Sequence, residues 1–348
     1  MVGNFLKLER NILETREIVV ILVIGVQLAD NKIGIIGYGN HASRIISILE
    51  DFGDIQISKI FHPTKIVSEK IGTNRFEDLY DCNCVFILSP DNTHFEYISK
   101  LLDNYGGYIF CEKPVVTKNT ELNELNNIDI NKKKKIFFNF NFRYSKMSNL
   151  LKKEIIEKKI GEISHINIIS THGLAFKSEY LDSWRSDKEK NLNNILDSLG
   201  IHYLDLILFH IGNVENSNYF PSLVSKNGTS YDTCMITLET KQTSIMIFCS
   251  YANPKINEIT IIGTNGYITI RDDKKETFSP RDTFDEKGFF IKPPIIQSEE
   301  FNFENEYKES LKQSIKYFLE CVKNNKSIDL ENFEKSMDTT KLLIDLKQ

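Results

Sequence analysis

The chain has 348 residues, of which 41% are hydrophobic and 26% are charged. This is the composition of a globular protein, and the length predicts two domains rather than one. The formal net charge of −5 excludes a general basic field that would attract nucleic acid. The one concentrated basic run, residues 132–135, is explained by a solvated turn before an apolar strand.

An N-terminal extension of residues 1–30 precedes the first recognisable domain. It contains an apolar run, residues 18–29, behind a leader of mixed charge. A signal sequence would have a short basic leader, and a membrane-spanning helix needs about 20 apolar residues. We therefore expect an additional strand or a poorly ordered extension, and no membrane partner. Membrane attachment through this run is the remaining alternative.

Residues 31–145 alternate short apolar runs with helical patterns. The runs KIGIIG, IQISKIF, VFILSP and YIFCEKP are rich in Val, Ile and Phe without alternation, as in strands buried on both faces of a parallel sheet. Between them, ASRIISILEDF and HFEYISKLLDNY have the apolar spacing of helices. This order predicts an α/β domain with the doubly wound parallel sheet of a Rossmann fold.

Residues 146–348 follow a different pattern, which predicts a second, α+β domain. A helix is expected over SNLLKKEIIEKKIG, ending at Gly161. The strands that follow, among them ISHINIISTHG, CMITLET and SIMIFCSYA, alternate with period two, as in a large, mostly antiparallel open sheet with one solvated face. Asn265-Gly266 predicts a hairpin turn. An amphipathic helix within ENEYKESLKQSIKYFLECVKNN and a shorter helix complete the pattern.

The cysteines indicate the compartment and argue against a metal site. Six cysteines are scattered along the chain, and the pair Cys82 and Cys84 has no second pair at metal-ligand spacing. The others lie in apolar runs. Reduced, buried thiols of a cytoplasmic protein fit this distribution best, and we expect no bound metal.

A glycine loop follows the first strand and opens the first helix. It reads Gly37-Tyr38-Gly39-Asn40-His41-Ala42. In such a G-x-G-x-x-A loop the first glycine permits the tight turn, the second lets the backbone approach a pyrophosphate, and the alanine allows close packing of helix and strand. The helix N-terminus offers free N–H groups to the anion. The loop predicts a site for NAD or NADP, and a glycine turn without ligand is the alternative.

The end of the second strand bears on the choice between the two nucleotides. An NAD-preferring site usually places Asp or Glu there, on the ribose 2′-hydroxyl. This chain has His62 at that position, with Lys65 nearby. Because a carboxylate would repel a 2′-phosphate and none is present, NADP is allowed. His62 could equally be a surface residue at a strand end, so the preference stays open.

Three ordered motifs resemble those of a known family. After the glycine loop the chain reads Ser89-Pro90-Asp91-Asn92-Thr93-His94 and then Cys111-Glu112-Lys113-Pro114. These resemble the Gfo/Idh/MocA oxidoreductase family, which includes glucose–fructose oxidoreductase and inositol dehydrogenase. The first segment is similar to the family's T-P-N-x-x-H motif, and E-K-P matches without change. The resemblance continues through Asn141–Tyr144, Trp184-Arg185, residues 200–205 and Ile262-Gly263-x-x-Gly266, so it covers nearly everything after residue 31.

The resemblance implies a fold, an assembly and roles for particular residues. The second domain would build a homo-oligomer, a dimer or tetramer, through its sheet, and the C-terminal helices would pack back on the first domain. Lys113 would lie beside the nicotinamide and stabilise charge on the reacting oxygen. His202 would act as general acid–base, with a structural role in its apolar run as the alternative. Contacts to the cofactor are implied for Ser89, Pro90, Asn92, His94 and Glu112, and contacts to the substrate for Arg143, Trp184, Arg185 and Ser198.

One position departs from the family pattern. The family often has an acid four residues before the histidine, as in D-x-G-x-H, but Ser198 occupies that position here and Asp197 precedes it. Either Asp197 reaches the site through a shifted turn, or Lys113 and His202 act with help from Ser198. The third possibility is loss of activity, which would leave a dinucleotide-binding regulatory protein. The main expectation is an NAD(P)-dependent dehydrogenase or reductase acting on a sugar, sugar nucleotide or polyol.

Overall fold

The computed structural model describes residues 31–53, 55–68, 70–303 and 305–348. The extension predicted for residues 1–30 lies outside the described residues. The described chain divides into two compact units. One contains the residues up to Ser89 with Asn104–Tyr108, and the other contains Pro90–Asp103 with Ile109–Gln348. The domain boundary predicted near residue 145 stays a prediction.

The first part of the chain alternates strands and helices, as predicted. Its strands are continuous runs of apolar residues that are shielded from solvent; Ile33, Ile35 and Ile36 of the first strand are completely buried. The strands are β1 (Asn31–Ile36), β2 (Ile55–Phe61), β3 (Gly72–Thr73), β4 (Cys84–Ile87), β5 (Tyr108–Glu112) and β6 (Ile136–Asn139). The helices are α1 (Asn40–Glu50), α2 (His94–Asn104), α3 (Asn119–Asn126) and α4 (Ile130–Lys133).

These six strands form one sheet in the order β3-β2-β1-β4-β5-β6. Strand β1 pairs in parallel with β2 and with β4, and β5 pairs in parallel with β6. This strand order is that of the Rossmann fold, and it reverses direction between β1 and β4. The predicted doubly wound parallel sheet is confirmed. Ligands of such sheets bind at the carboxyl ends of the strands at this switch point.

The second sheet contains eight strands in the order β14-β13-β12-β11-β7-β10-β9-β8. Only β7 and β10 pair in parallel, and the other neighbours are antiparallel, so the predicted mostly antiparallel sheet is confirmed. Its strands are β7 (Ile163–Thr171), β8 (Val214–Ser222), β9 (Thr233–Thr240), β10 (Ser244–Ser250), β11 (Ile256–Gly263), β12 (Gly266–Arg271), β13 (Lys274–Phe278) and β14 (Ile295–Glu300).

Alternation along the strands separates a buried face from a more exposed one. In β10, Ile245, Ile247 and Cys249 are buried, and the residues between them are partly exposed. The hairpin predicted at Asn265-Gly266 joins β11 to β12, with Gly263 paired to Gly266.

The described residues of the second part contain six α-helices, and one predicted boundary is shifted. They are α5 (Lys146–Glu157), α6 (Ser178–Leu181), α7 (Lys188–Asn191), α8 (Ile201–His210), α9 (Glu306–Lys323) and α10 (Leu330–Asp345). Helix α5 was expected to reach Gly161 but ends at Glu157, because Lys158 adopts a left-handed backbone, with φ of 51°, and its N–H donates to the Glu154 carbonyl.

The two C-terminal helices contact residues of the segment 115–139. Ser314 of α9 donates to the side-chain oxygen of Asn139 at 2.8 Å, and Thr340 of α10 accepts from the Val115 N–H at 3.4 Å. No helix in the described part of the chain is long and apolar enough to cross a membrane.

Candidate active site

The glycine loop has the backbone geometry that its sequence predicts. Gly37 has a φ of 95°, and a Cβ atom there would lie 2.9 Å from the Leu88 carbonyl oxygen, so only glycine fits. Its N–H donates to the Phe61 carbonyl at 3.0 Å, which ties the end of β1 to the end of β2. The turn therefore lies at the carboxyl edge of the sheet.

Gly39 and Ala42 complete the loop in different ways. Gly39 is the N-cap of α1, and no atom lies within 4 Å of the place where its Cβ would be, so the backbone is open to an approaching group. Ala42 is completely buried, as close packing of helix and strand requires. The side chains of Tyr38 and Asn40 are exposed, and His41 is half-buried. These features fit a bound pyrophosphate at the helix N-terminus.

His62 and Lys65 lie just after β2. A ring nitrogen of His62 accepts a hydrogen bond from the Thr64 N–H at 3.3 Å, and the His62 carbonyl accepts from the Asn74 side chain at 2.8 Å. The Lys65 side chain is exposed. The strand end is thus held in a defined turn that carries an imidazole and an exposed ammonium.

Hydrogen bonds of residues from the segment 89–94 and from the E-K-P motif itself hold the E-K-P turn in place. His94 is buried, and its Nδ1–H donates to the Pro114 carbonyl at 2.7 Å. Glu112, at the end of β5, accepts from the Asn139 side chain at 2.7 Å. Asn92 is exposed, and its N–H donates to Asp91 at 2.8 Å, while Pro90 caps the same short turn before α2. Ser89 is half-buried directly before this turn.

Lys113 is held by a distorted helical turn. Its Nζ donates to the carbonyl oxygens of Asp197 at 2.9 Å and of Ser198 at 3.1 Å. Residues Leu196–Gly200 form a π-helical turn, in which the Ile201 N–H donates to the Leu196 carbonyl five residues back. An α-helix would instead join Ile201 to the Asp197 carbonyl. In the wider turn the Asp197 carbonyl is left to accept the hydrogen bond from the Lys113 ammonium.

The environment of Lys113 favours release of its proton. Burial lowers the pKa of Lys113 to about 8, while the carboxylates of Glu112, Asp197 and Asp91 act in the opposite direction. The positive charge of Arg185 also lowers this pKa. Lys113 therefore exchanges between its charged and neutral forms near neutral pH.

Asp197 has a cationic partner from the far end of the chain. Its carboxylate forms an ion pair with the Lys347 ammonium, and its side chain is only 8% exposed. Burial raises the pKa of Asp197 above its usual range, and Lys347 acts against this effect. Lys347 follows α10, so this helix supplies the counter-ion of a residue 150 positions earlier.

His202 lies in the first turn of α8, which continues directly from the π-helical turn. It is 4% exposed, and its ring stacks on Phe142 with centroids 4.4 Å apart. The edge of Tyr307 packs against the same imidazole at 6.3 Å. Aromatic contacts thus fix the plane of the ring, and its general acid–base role stays a prediction.

A second cluster surrounds Ser198. Its hydroxyl donates to the side chain of Asn194 at 2.7 Å, and Tyr251 lies within hydrogen-bonding reach. Arg185 lies over the face of Trp184 at 4.6 Å, and its positive charge reaches Tyr251 and Tyr180. The predicted substrate residues 184, 185 and 198 therefore share one neighbourhood.

Arg143 is bound on every side within the protein. Its Nη2 and Nε donate to the two carboxylate oxygens of Asp205 at 2.6 and 2.9 Å, and its Nη1 donates to the Asn332 carbonyl at 3.0 Å. The rings of Phe140 and Phe209 lie 4.9 and 4.8 Å from the guanidinium. These contacts favour a structural role, and the substrate contact predicted for Arg143 stays a prediction.

Several residues of these clusters were not predicted from the sequence. Lys347, Asn194, Tyr180, Tyr251 and His172 all belong to them, and His172 stacks on Tyr251 at 4.9 Å. No local motif marks these positions. Among the described residues, no group of three or more His, Cys, Asp or Glu could hold a metal ion.

Two family models match the chain in order. The first, described as an oxidoreductase family with an NAD-binding Rossmann fold, matches residues 31–140. The second, a GFO/IDH/MocA C-terminal domain, matches residues 149–269. The chain belongs to the Gfo/Idh/MocA family. The first match contains both the glycine loop and the E-K-P turn, and the second contains residues 184–202.

Curated members of the Gfo/Idh/MocA family match parts of the chain. Glucose-6-phosphate 3-dehydrogenase of Bacillus subtilis (strain 168) is 26% identical over 187 residues, which are 51% of this chain and 53% of that protein. Inositol 2-dehydrogenase of Rhizobium meliloti (strain 1021) is 26% identical over 132 residues, 38% of this chain and 37% of that protein. The matched segment thus spans about half or less of these relatives.

Solved structures of similar fold cover nearly the whole chain. An oxidoreductase from Thermotoga maritima has a TM-score of 0.73 at 19% identity, covering 91% of this chain and 95% of its own. A myo-inositol dehydrogenase from Corynebacterium glutamicum has a TM-score of 0.68 at 18% identity, with coverages of 91% and 96%. An oxidoreductase from Agrobacterium radiobacter, solved with NAD+, L-tartaric acid and magnesium, has a TM-score of 0.71 at 17% identity, with coverages of 90% and 94%. These likenesses show the fold.

Proposed function

We propose that the protein is an NAD(P)-dependent oxidoreductase that interconverts a hydroxyl and a carbonyl group of a sugar, sugar nucleotide or polyol. The observation that carries this proposal is Lys113, whose ammonium is held by the two carbonyls of the π-helical turn and has a pKa of about 8. A lysine held in this way can give a proton to an oxygen or take one from it.

The glycine loop would hold the cofactor. Gly39 leaves the backbone open and Gly37 permits the turn, so the N–H groups that begin α1 are available to a pyrophosphate. The bound nicotinamide supplies or accepts the hydride. The protein supplies binding, orientation and proton transfer.

Lys113 is the proposed proton-transfer group. In the oxidation direction its neutral amine would accept the proton of the substrate hydroxyl, and in the reduction direction its ammonium would donate to the carbonyl oxygen. The carbonyls of Asp197 and Ser198 fix the position of Nζ in either case. Because the pKa of Lys113 is about 8, both forms are populated at neutral to mildly alkaline pH.

The π-helical turn supports Asp197 as the acid that replaces the usual family residue. In an α-helix, residues five apart point about 140° away from each other. A turn closed by a bond to the fifth residue reduces this difference, so the side chains of Asp197 and His202 leave the helix at a smaller angle to each other than in an α-helix. We propose His202 as the second proton-transfer group and Ser198 as a group that orients Asn194.

The nature of the substrate is proposed from the named relatives. Two of them are named as dehydrogenases of glucose 6-phosphate and of inositol, which are both polyhydroxylated rings. A substrate of this class would present several hydroxyl groups to the half-buried side chains of Lys113, Arg185 and Ser198.

Either nicotinamide nucleotide is compatible with the end of β2. Neither His62 nor Lys65 would repel a 2′-phosphate, and the Lys65 side chain is exposed and free to approach one. We expect His62→Asp to weaken NADPH binding relative to NADH, because the new carboxylate repels the phosphate. Equal loss for the two nucleotides would show that His62 does not face the ribose.

Nucleotide binding is the first test of the proposal. NADH and NADPH are titrated against the wild type and Gly39→Val by nucleotide fluorescence. The open space at Gly39 allows this variant to fold, while the added side chain blocks the approach of a pyrophosphate. Gly53→Val is the matched control, since Gly53 is equally open and lies beyond the other end of α1. Absence of binding to the wild type would overturn the proposal.

Turnover is the second test. Glucose, glucose 6-phosphate and myo-inositol are offered with NAD+ and NADP+, and any activity is compared in Lys113→Met and His202→Asn. We expect each change to lower kcat/KM by at least about 100-fold. Retention of activity in both variants would refute these roles, and nucleotide binding without turnover on a wide set of polyols would favour a regulatory protein.

We further propose that the eight-stranded sheet builds a homo-oligomer. A set of large apolar side chains is exposed between β13 and β14 and at the start of β14, and an oligomer contact would remove them from water: Phe284, Phe289, Phe290, Ile291, Ile295 and Ile296. Light scattering after size exclusion is expected to give a dimer or tetramer, and Phe290→Glu is expected to reduce it. A monomeric wild type would refute this assembly.

We place the protein in the cytoplasm because its thiols are free. The described cysteines are Cys82, Cys84, Cys111, Cys234, Cys249 and Cys321, and all are buried without disulfides. Fractionation of cells that produce the full chain tests this placement.

A further inference from the structure

Two contacts of Asp197 connect Lys347 with Lys113. The Asp197 carboxylate forms an ion pair with the Lys347 ammonium, and the Asp197 backbone carbonyl accepts a hydrogen bond from Lys113 Nζ at 2.9 Å. The side chain of Asp197 is 8% exposed and that of Lys347 is 24% exposed, so water and salt screen this pair only weakly. The charge on Asp197 is therefore strongly felt by both lysines.

Helix α10 holds Lys347 at a defined place relative to the site. Thr340 of α10 accepts a hydrogen bond from the N–H of Val115, just after the E-K-P turn, at 3.4 Å. Thr339 donates to the side chain of Asp205 at 2.9 Å, and Asp205 lies on α8, which continues from the π-helical turn. Both threonines are completely buried. Because α10 is anchored to both sides of the site, the ion pair of Lys347 is a fixed contact.

Asp197 depends on Lys347 to stay ionised. Burial disfavours its charged form and raises its pKa, and the nearby carboxylate of Asp91 acts in the same direction. Lys347 opposes both effects through its charge and through a hydrogen bond, and the side chain of Asn191 also donates to the carboxylate. Of these two donors, Lys347 is the cationic one. Without it, the buried carboxyl takes up a proton more readily.

The charge of Asp197 in turn favours the protonated form of Lys113. Burial lowers the pKa of Lys113 to about 8, and three carboxylates oppose this effect. The charged groups that act on Lys113 are the carboxylates of Glu112, Asp197 and Asp91 and the guanidinium of Arg185. When Asp197 becomes neutral, one of the opposing negative charges is lost, and Lys113 gives up its proton at a lower pH.

We propose that Lys347 is a positioning residue of the site, which keeps the Asp197 carboxylate charged and thereby controls the charge of Lys113. The proposal rests on the proposed function, in which Lys113 transfers the proton, and adds to it a residue outside every motif of the sequence. Lys347 touches no reacting group in this assignment. It sets the fraction of Lys113 that is neutral at a given pH, and hence the pH at which Lys113 can accept a proton from a hydroxyl.

The charge of Lys113 can be measured without nucleotide or substrate. Acetic anhydride reacts with neutral amines, so a short pulse at each pH labels Lys113 in proportion to its neutral fraction. Mass spectrometry of peptides gives the labelling of Lys113 relative to that of the exposed Lys188. The wild type should show a midpoint near the pKa of about 8. In Lys347→Met the midpoint should move to lower pH, and labelling at pH 7 should be at least about twofold faster.

Matched variants separate the charge of Lys347 from other effects. Lys347→Arg keeps the cation and should label as the wild type does. Lys341→Met removes an equal charge from α10 at a side chain that is 68% exposed, and it should leave the midpoint unchanged. Asp197→Asn should lower the midpoint as Lys347→Met does. Combining Asp197→Asn with Lys347→Met should lower it no further, because both changes remove the same negative charge.

The pH dependence of turnover is a separate readout. If the protein oxidises glucose, glucose 6-phosphate or myo-inositol, the rise of kcat/KM with pH should move together with the labelling midpoint in Lys347→Met. A shifted midpoint with an unmoved rise of kcat/KM would overturn proton transfer by Lys113, while the effect of Lys347 on Lys113 would stand. Failure of the proposed function and failure of this inference are thus distinguishable.

Three results would overturn the inference. One is an unchanged midpoint in Lys347→Met that melts cooperatively in circular dichroism. Another is a midpoint at higher pH, since a turn that had simply opened would expose Lys113 to water and raise its pKa. The third is the same downward shift in Lys341→Met or in Lys347→Arg. Should Lys347→Met not fold, Asp197→Asn leaves no buried carboxylate unpaired, and an unlowered midpoint in that variant overturns the inference.

Discussion

The pair formed by Arg143 and Asp205 offers a sharp test of what the buried charges do. Both side chains are almost completely buried, with 3% and 1% of their surface exposed. The two parallel hydrogen bonds between them, at 2.6 and 2.9 Å, have the geometry in which arginine binds a carboxylate best. Thr339 donates a third bond to Asp205 at 2.9 Å.

Removing one partner should be strongly destabilising. Arg143→Met leaves a buried carboxylate with only a hydroxyl donor. Asp205→Asn leaves a buried guanidinium with neutral amide oxygens as its acceptors and no carboxylate. Breaking a buried pair in this way costs about 3–5 kcal/mol. For a protein of this size we expect each single variant to lower the melting temperature by roughly 4–7 °C. Replacing both residues, as in Arg143→Met with Asp205→Leu, should cost much less than the sum of the two changes, because no unpaired charge remains.

Circular dichroism during thermal and urea unfolding measures these effects, with NADH binding as a check that each variant is folded. A loss below about 1 kcal/mol in both single variants would refute the reasoning. In that case the guanidinium is not committed to Asp205. Arg143 would then be free for the substrate contact that the sequence predicts, and substrate affinity should fall in Arg143→Met.

Three further changes test the geometry of the site. The pKa of Lys113 is lowered from 10.5 to about 8, so the folded protein loses this proton at a lower pH than the unfolded chain does. The free energy of unfolding of the wild type should therefore rise by about 3 kcal/mol relative to that of Lys113→Met between pH 8 and pH 10.5. A constant difference between the two proteins in urea unfolding across this range would contradict the prediction. Lys347→Met leaves the Asp197 carboxylate buried without its cation, so the loss of stability should shrink as the pH falls from 7, because the raised pKa favours uptake of a proton that removes the charge. Adding Asp197→Asn should remove most of that loss. Gly37→Ala should destabilise the protein by more than about 2 kcal/mol, because the new Cβ combines a left-handed backbone with a contact of 2.9 Å to a carbonyl oxygen. Gly39→Ala, at an open position, should cost no more than about 0.5 kcal/mol. Similar melting temperatures for the two variants would show that the turn has adapted to the alanine at position 37.

The sequence predicted both sheets because their strands carry local signals. Unbroken apolar runs such as that of β1 occur where both faces are covered, and alternation such as that of β10 occurs where one face is more exposed. The edge strands β8 and β14 were not predicted. Their sequences, VENSNYFPS and IIQSEE, have weak strand patterns, and pairing with β9 and β13 places them in the sheet.

In the site too, some features follow from local sequence and others depend on tertiary contacts. The sequence by itself determined the glycine loop, since the properties of Gly37 and Gly39 depend on backbone freedom within a few residues. The E-K-P turn was identified through its resemblance to the family motif. Only the tertiary structure decided that a π-helical turn presents two carbonyls to Lys113 and that Lys347 pairs with Asp197. The hydrogen bonds of Lys113 join residues more than 80 positions apart, and the ion pair of Asp197 joins residues 150 apart. No local pattern encodes such contacts, because they arise when packed helices and strands bring distant side chains together.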